Sequence, residues 1–288
     1  MFVVPEVGGD AGISAVKMIR AFSPSSKIYG LDCNEANASY ELAETLVCPE
    51  VINPSQIDQN LLDHLTHLLS KTKNSRVILC PTSESMTLTL IELVCTTDLD
   101  IHHWLPSKEA FLLSRDKKML AQKDWACSEL SRHWRGEVFR KPVSGVGSRG
   151  CFKARSPGVI HYMFEDSILL PILSGPEIVV DVVGREAFSR EVFSQKGGQD
   201  VSIEFRDMPD VQSIALDIAE ELKTPVLNVQ FMHLDGKPVV IDIGTRLSGA
   251  SGSLLKVGVN PMESLVTLMR QPKARGFVLR RLEEVLVV

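Results

Sequence analysis

The sequence predicts an α/β chain: a Rossmann-like, doubly wound half followed by a two-lobed α+β half. Three patterns carry that expectation. Strand, glycine-rich turn, helix and strand succeed one another over residues 2–32. The style changes at Pro106-Ser107-Lys108. Short alternating strands then dominate from residue 168 to residue 243.

Phe2 to Val7 is apolar and β-favouring, and Gly8-Gly9-Asp10-Ala11-Gly12 opens a stretch whose Ile13, Val16, Ile19 and Ala21 suit a helix. Lys27-Ile28-Tyr29-Gly30-Leu31-Asp32 reads as a second strand, so the unit is parallel and right-handed. Residues 60–70 and 84–95 read as helices around the buried strand Val77-Ile78-Leu79-Cys80. Beyond residue 105 comes one Lys-rich helical pattern over 108–123, then two short strands around a glycine loop over 137–153. Strands follow at 168–173, 177–183 and 188–194, and a helix at 210–222. Two more strands, 226–233 and 238–243, are joined by the turn Leu234-Asp235-Gly236-Lys237. A last helix starts after Pro261, with Glu263 in its first turn and Arg270 in its last. A domain boundary is expected near residue 105.

Composition narrows the function classes. The 288 residues are 44% hydrophobic and 23% charged, close to the average of folded globular chains. With a net charge of −5 and no Lys/Arg block longer than a pair, there is no electrostatic footprint for nucleic acid. Neither a basic-then-apolar leader nor a spanning apolar run is present, so the expectation is a cytoplasmic protein with no membrane contact. The six cysteines are scattered without a C-x-x-C pair, which fits reduced thiols. His64/His67 and His102/His103 lack a third ligand at metal spacing and read as ordinary surface or core histidines. Gly8, Gly9 and Gly12 with Asp32 imitate a dinucleotide fingerprint, but the G-x-G-x-x-G spacing is not met, which argues against NAD.

Two constellations point to chemistry. Val138-Phe139-Arg140-Lys141-Pro142-Val143-Ser144-Gly145-Val146-Gly147-Ser148-Arg149-Gly150 is a strand ending in Lys followed by a glycine-rich loop. Glycines let backbone N–H groups close on phosphate oxygens, and the lysine adds a point charge. The same run also suits a flexible hairpin loop with an exposed lysine. In Asn228-Val229-Gln230-Phe231, period-two alternation puts Asn228 and Gln230 on one face. Asp242, on the next strand, can share that face and join Gln230 around a hard cation such as Mg²⁺. Solvated polar residues on a strand face are the plain alternative.

With Ile172-Leu173-Ser174-Gly175-Pro176-Glu177-Ile178-Val179-Val180-Asp181 between them, these segments resemble the ATP-grasp superfamily. The nearest flavour is that of the carbamoyl-phosphate-synthase large chain and related carboxylate-amine ligases, whose preceding Rossmann-like domain resembles residues 1–105. Even Pro106-Ser107 before Ser114-Arg115-Asp116-Lys117 is similar to the family's approach to its first ATP-binding lysine. The resemblance implies a preceding domain over residues 1–105, an N-terminal lobe over 106–175 and a C-terminal lobe over 176–288, with ATP and Mg²⁺ as cofactors. Lys117 or Lys118 would reach the α-phosphate side, and Lys141 would contact α and β phosphates under a loop of Ser144, Gly145, Gly147, Ser148 and Gly150. A hinge containing Leu170, Ile172 and Leu173 would bind adenine, and Glu177 the ribose. Gln230 and Asp242 would hold Mg²⁺, and Arg246 would act on the transferring phosphoryl group. The implied activity joins small-molecule carboxylate and amine substrates through an acyl phosphate, with a homodimer left open. Gly244 stands where the family's E-x-N motif has Asn, which keeps a second reading in play: an ATP-binding regulatory or scaffold protein with little turnover. Arg190 and Leu247 to Gly252 are expected near the substrate.

Overall fold

The computed structural model describes residues 1–34, 44–70, 76–98, 100–131, 134, 136–144, 150–155, 166–196 and 199–270. Three sheets organise them. The first is wholly parallel, with strand order β3-β2-β1-β4-β5, built from β1 (Phe2–Pro5), β2 (Ile28–Asp32), β3 (Glu44–Val47), β4 (Val77–Leu79) and β5 (Ile101–His103). Helices α1 (Asp10–Phe22), α2 (Gln59–Ser70) and α3 (Thr87–Thr96) connect it. This is the doubly wound half, with the short edge strands β3 and β5 in addition to the three expected. Helix α3 begins at Thr87 rather than Glu84, because the Ser83 hydroxyl accepts from Met86 N and holds residues 83–86 in a turn.

Close backbone approach fixes α1 on this sheet. A Cβ at Gly12 would lie 2.3 Å from the Glu6 carbonyl oxygen and 2.6 Å from Val7 Cα, both backbone atoms. Gly12→Ala is therefore expected to cost about 1–3 kcal/mol, the range for overpacking a tight core. A urea-unfolding midpoint equal to that of the wild type would show that α1 can move off β1.

The expected helix over 108–123 is two helices, α4 (Lys108–Arg115) and α5 (Lys117–Leu120). Asp116 ends the first and caps the second, its Oδ1 accepting from Lys118 N at 2.8 Å and Met119 N at 3.1 Å. A three-stranded antiparallel sheet follows, order β7-β6-β8, made of β6 (Val138–Pro142), β7 (Phe152–Ala154) and β8 (Ser167–Pro171).

Only Ile172-Leu173 separates β8 from the third sheet, which is antiparallel with order β11-β10-β9-β12-β13. Its strands are β9 (Ser174–Val183), β10 (Glu186–Lys196), β11 (Gln199–Phe205), β12 (Val226–Leu234) and β13 (Lys237–Gly244). Val180, Val182, Leu227, Val229, Phe231 and Ile243 pack against Val211, Ala215, Leu216, Ile218 and Ala219 of α6 (Pro209–Glu221), so one face of this sheet is a buried apolar layer. The opposite face carries the polar residues of the next section. Asp235 and Gly236, at φ 51° and 79°, make the tight β12–β13 turn, a left-handed pair that Gly tolerates best. After β13 come a 3-10 helix (Ser251–Val257) and α7 (Pro261–Arg270).

The largest core among the described residues joins segments far apart in the chain. Phe2, Val4, Val7, Val16 and Ile19 pack with Val183, Phe188, Val226, Leu247, Leu254, Met262 and Leu265. Among the described residues no helix is long and apolar enough to cross a membrane.

Candidate functional site

The three-stranded sheet faces β13 of the antiparallel sheet across a small apolar layer: Cys127, Ile168 and Leu170, with Val143, Leu173, Val239 and Ile241 against them. Leu170 ends in this layer as the chain passes from one sheet to the other through Ile172 and Leu173. Charge collects at its edge.

Gln230 and Asp242 are direct cross-strand partners, as the period-two reading of both strands expects. The register breaks beside them, since Phe231 pairs with Val240 and leaves Ile241 as the extra residue of a bulge. Bulges re-aim side chains. Here the Ile241 carbonyl accepts from Lys141 Nζ at 3.0 Å, and the Asp242 carboxylate lies 3.3 Å from the same nitrogen. Lys117 reaches the other oxygen, Nζ to Oδ1, at 3.4 Å. Two lysines from different elements thus flank one carboxylate, with side chains 7% and 10% exposed for Lys117 and Lys141. Lys117 is brought there by its own backbone N–H, which donates to Val143 O at 3.0 Å and ties α5 to the end of β6. Of the adjacent lysines only Lys117 enters the cluster; Lys118 is exposed on the outer side of α5.

Ser144 is exposed at the start of the glycine loop, while Gly145, Gly147 and Ser148 lie outside the described residues. Gly150, at φ 73°, closes the loop, its carbonyl accepting from Arg140 Nη1 at 2.5 Å. Glu177 is partly buried on β9, opposite Val192 of β10. Burial pushes the Cys127 thiol up to about 11 despite the pull of Lys141, so this residue behaves as packing.

Arg246, just past β13, donates through Nη1 to Leu247 O at 2.9 Å, and its Nε lies 3.7 Å from Glu84 Oε2. The other Glu84 oxygen accepts from Arg115 Nη1 at 2.5 Å. Next to this trio is a largely buried network. Asp181, 2% exposed, accepts from Asn228 Nδ2 at 2.7 Å, Ser248 Oγ at 3.1 Å and Ser251 Oγ at 3.3 Å, and is ion-paired with Arg190.

That network corrects one expectation. Arg190 is 2% exposed with its guanidinium on Asp181 and Ser248, so it is neither a surface strand arginine nor a side chain presented to a substrate. Leu247, Ser248 and Ser251 are likewise buried; within residues 247–252 Gly249 alone is exposed. The reason is packing: Gly249 and Gly252 abut Asp10 and Ser14 of α1, where a Cβ would come within 2.7 and 2.8 Å. Sequence reading also gave no role to Asp181, Glu84 or Arg115. For Glu84 a signal existed, because it lies in the loop after the parallel strand Val77–Leu79, at the carboxyl edge, where open α/β sheets place functional groups.

Chemically, the paired lysines suit an anion, and Asp242 with Gln230 can ligate one hard cation if the remaining ligands come from that anion and water. Among the described residues no three His, Cys, Asp or Glu side chains converge as a self-sufficient metal site.

A family profile described as an ATP-grasp in the biosynthetic pathway with Ter operon matches residues 163–284. No curated protein matches the chain by sequence. Among solved structures, the biotin carboxylase domain dimer of Hydrogenobacter thermophilus 2-oxoglutarate carboxylase, in complex with Mg-ADP, ADP and bicarbonate, superposes with a TM-score of 0.69 at 14% identity, covering 96% of this chain and 70% of that one. Campylobacter jejuni biotin carboxylase gives 0.67 at 15% identity over 96% and 72%. Thermus thermophilus N5-carboxyaminoimidazole ribonucleotide synthetase gives 0.62 at 13% over 97% and 80%. The chain thus matches an ATP-grasp profile over its C-terminal part and shares the fold of these solved structures over nearly its whole length.

Proposed function

We propose that the edge of the apolar layer between the three-stranded sheet and the antiparallel sheet binds Mg-ATP, and that the chain is an ATP-dependent ligase activating a carboxylate for attack by an amine. The observation that carries this reading is the Lys117–Asp242–Lys141 cluster at the edge of an apolar layer between two sheets. Such a layer suits adenine, and two point charges beside it suit phosphates. The family match and the nucleotide complexes of the structural relatives support it. The residue 1–105 unit, the lobe 106–175 and the lobe 176–288 are the corresponding proposed domains. Small-molecule carboxylate and amine partners follow from this reading, and a homodimer accords with the dimeric Hydrogenobacter domain.

When bound, Mg-ATP would supply the phosphoryl group that turns a carboxylate oxygen into a good leaving group. The chain's own part is alignment and charge. Lys141 and Lys117 would hold the phosphates, the backbone of residues 144–150 would close over them, and Leu170 to Leu173 would line the adenine with Glu177 at the ribose. Asp242 and Gln230 would hold the cation. Arg246 would meet the charge spreading onto the transferring phosphoryl oxygens, a contact worth most in the transition state. No side-chain nucleophile is needed.

Lys141→Ala is expected to weaken Mg-ATP binding by about 1.5–3 kcal/mol, the range for a charge-assisted contact. Calorimetry on the folded variant checks this, and an unchanged affinity removes Lys141 from the site. The second reading, a nucleotide-binding protein with little turnover, is favoured by one feature: with Gln230 and Gly244 in the row, Asp242 is the lone carboxylate. Tight Mg-ATP binding without ADP release in the presence of any carboxylate and amine would select it.

A further inference from the structure

We propose that Glu84 is a positioning residue for Arg246, orienting its guanidinium toward the terminal phosphate of the bound nucleotide; this rests on the role given to Arg246 above. Glu84 sits in a turn fastened on every side. Thr82 Oγ1 donates to Pro5 O at 2.6 Å, Met86 N donates to Ser83 Oγ at 2.8 Å, Thr87 Oγ1 donates to Ser83 O at 2.6 Å, and Ser85 Oγ bonds the Glu6 carboxylate. The turn follows β4 at the carboxyl edge of the parallel sheet, at the β1/β4 junction where the strand order 3-2-1-4-5 reverses direction.

The two carboxylate oxygens of Glu84 serve different arginines. Oε1 takes Arg115 Nη1 at 2.5 Å, while Oε2 stands 3.7 Å from Arg246 Nε. Arg115, 13% exposed, therefore anchors the carboxylate, and the longer contact aligns Arg246 without neutralising it: two arginines and one glutamate leave a net positive charge. The backbone after Arg246 is moored to the same turn, since Leu247 N donates to Pro81 O at 2.8 Å. With Nε facing Glu84 and Nη1 on Leu247 O, the Nη2 edge has no protein partner among the described residues. Arg246 is 33% exposed, and an arginine that open keeps much of its rotamer freedom when nothing restrains it. A fixed carboxylate behind Nε removes part of that freedom before the nucleotide arrives.

The test reads the preference for a triphosphate over a diphosphate, which does not need turnover. Affinities of the full chain for Mg-AMP-PNP and Mg-ADP are measured by calorimetry for the wild type, Glu84→Gln, Glu84→Asp, Arg246→Ala and the double variant Glu84→Gln/Arg246→Ala. Glu84→Gln should lower the triphosphate preference roughly two- to fivefold, the range of a partly exposed ion pair, with Mg-ADP affinity and melting temperature unchanged. Glu84→Asp, which keeps the charge, should retain more of the preference. The double variant should match Arg246→Ala, because Glu84 acts only through that side chain. Equal losses for both nucleotides, a fall in melting temperature alone, or additive losses in the double variant would overturn the proposal and leave Glu84 as a tether. An Arg246→Ala variant that keeps the preference while Lys141→Ala still weakens binding would overturn the role of Arg246 and this inference with it, leaving the nucleotide site in place. Loss of nucleotide binding by the wild type itself would sink the site reading as a whole.

Discussion

Asp181→Ala is expected to destabilise the fold by about 3–5 kcal/mol, the cost of removing one partner from a buried ionic cluster. Four donors converge on this carboxylate, from Arg190 on β10, Asn228 on β12, and Ser248 and Ser251 beyond β13. Asp181, Arg190, Ser248 and Ser251 are each at most 8% exposed, so water cannot replace the lost acceptor. The cluster also ties the segment after β13 to the centre of the antiparallel sheet, so the damage should spread to Arg246. The check is the urea midpoint together with Mg-ATP affinity. A variant within about 1 kcal/mol of the wild type would mean that the network is dispensable.

The second large effect concerns Asp242. In the absence of nucleotide its carboxylate is the counter-charge of both lysines, and on the proposed reading the same group must turn to a cation once phosphates arrive. Asp242→Asn frees the lysines and removes the anionic ligand together. Metal-free ATP should then bind more tightly than to the wild type, while the gain on adding Mg²⁺ should shrink about tenfold or more, matching about 1.5–3 kcal/mol for a contact to a charged group. Gly244→Asn tests the same row from the other direction. A Cβ there would lie 3.9 Å from Asn228 Cβ, an ordinary contact, so the amide has room and the Mg²⁺ requirement should fall. Superimposable Mg²⁺ titrations for the wild type and both variants would show that Asp242 is no ligand.

The pairing of Gln230 with Asp242 was legible because the four-residue turn Leu234 to Lys237 fixes the hairpin register and period two fixes the face. The bulge at Ile241 was not, yet it supplies the carbonyl that Lys141 uses. From sequence β11 goes unassigned although Asp200-Val201-Ser202-Ile203-Glu204-Phe205 alternates with period two; it pairs along the edge of β10. The break at Asp116 could have been read, since an aspartate two residues before Lys118 is a helix cap as readily as a helix interior residue. Burial of Arg190 was out of reach, because an arginine is buried only when its partner is, and Asp181 lies on another strand. The same holds for Glu84, whose two arginines are 31 and 162 positions away in the chain.

The core shared by segments far apart in the chain has a consequence for synthesis. Phe2, Val4, Val16 and Ile19 leave the ribosome well before Leu247, Leu254, Met262 and Leu265, which cover them. At about 5–20 residues per second, that apolar surface stays open for roughly 10–30 s after the first 105 residues emerge. The nascent N-terminal part is therefore a natural client for holding chaperones, and a chain truncated before Met262 should accumulate in aggregates even though its parallel sheet is complete.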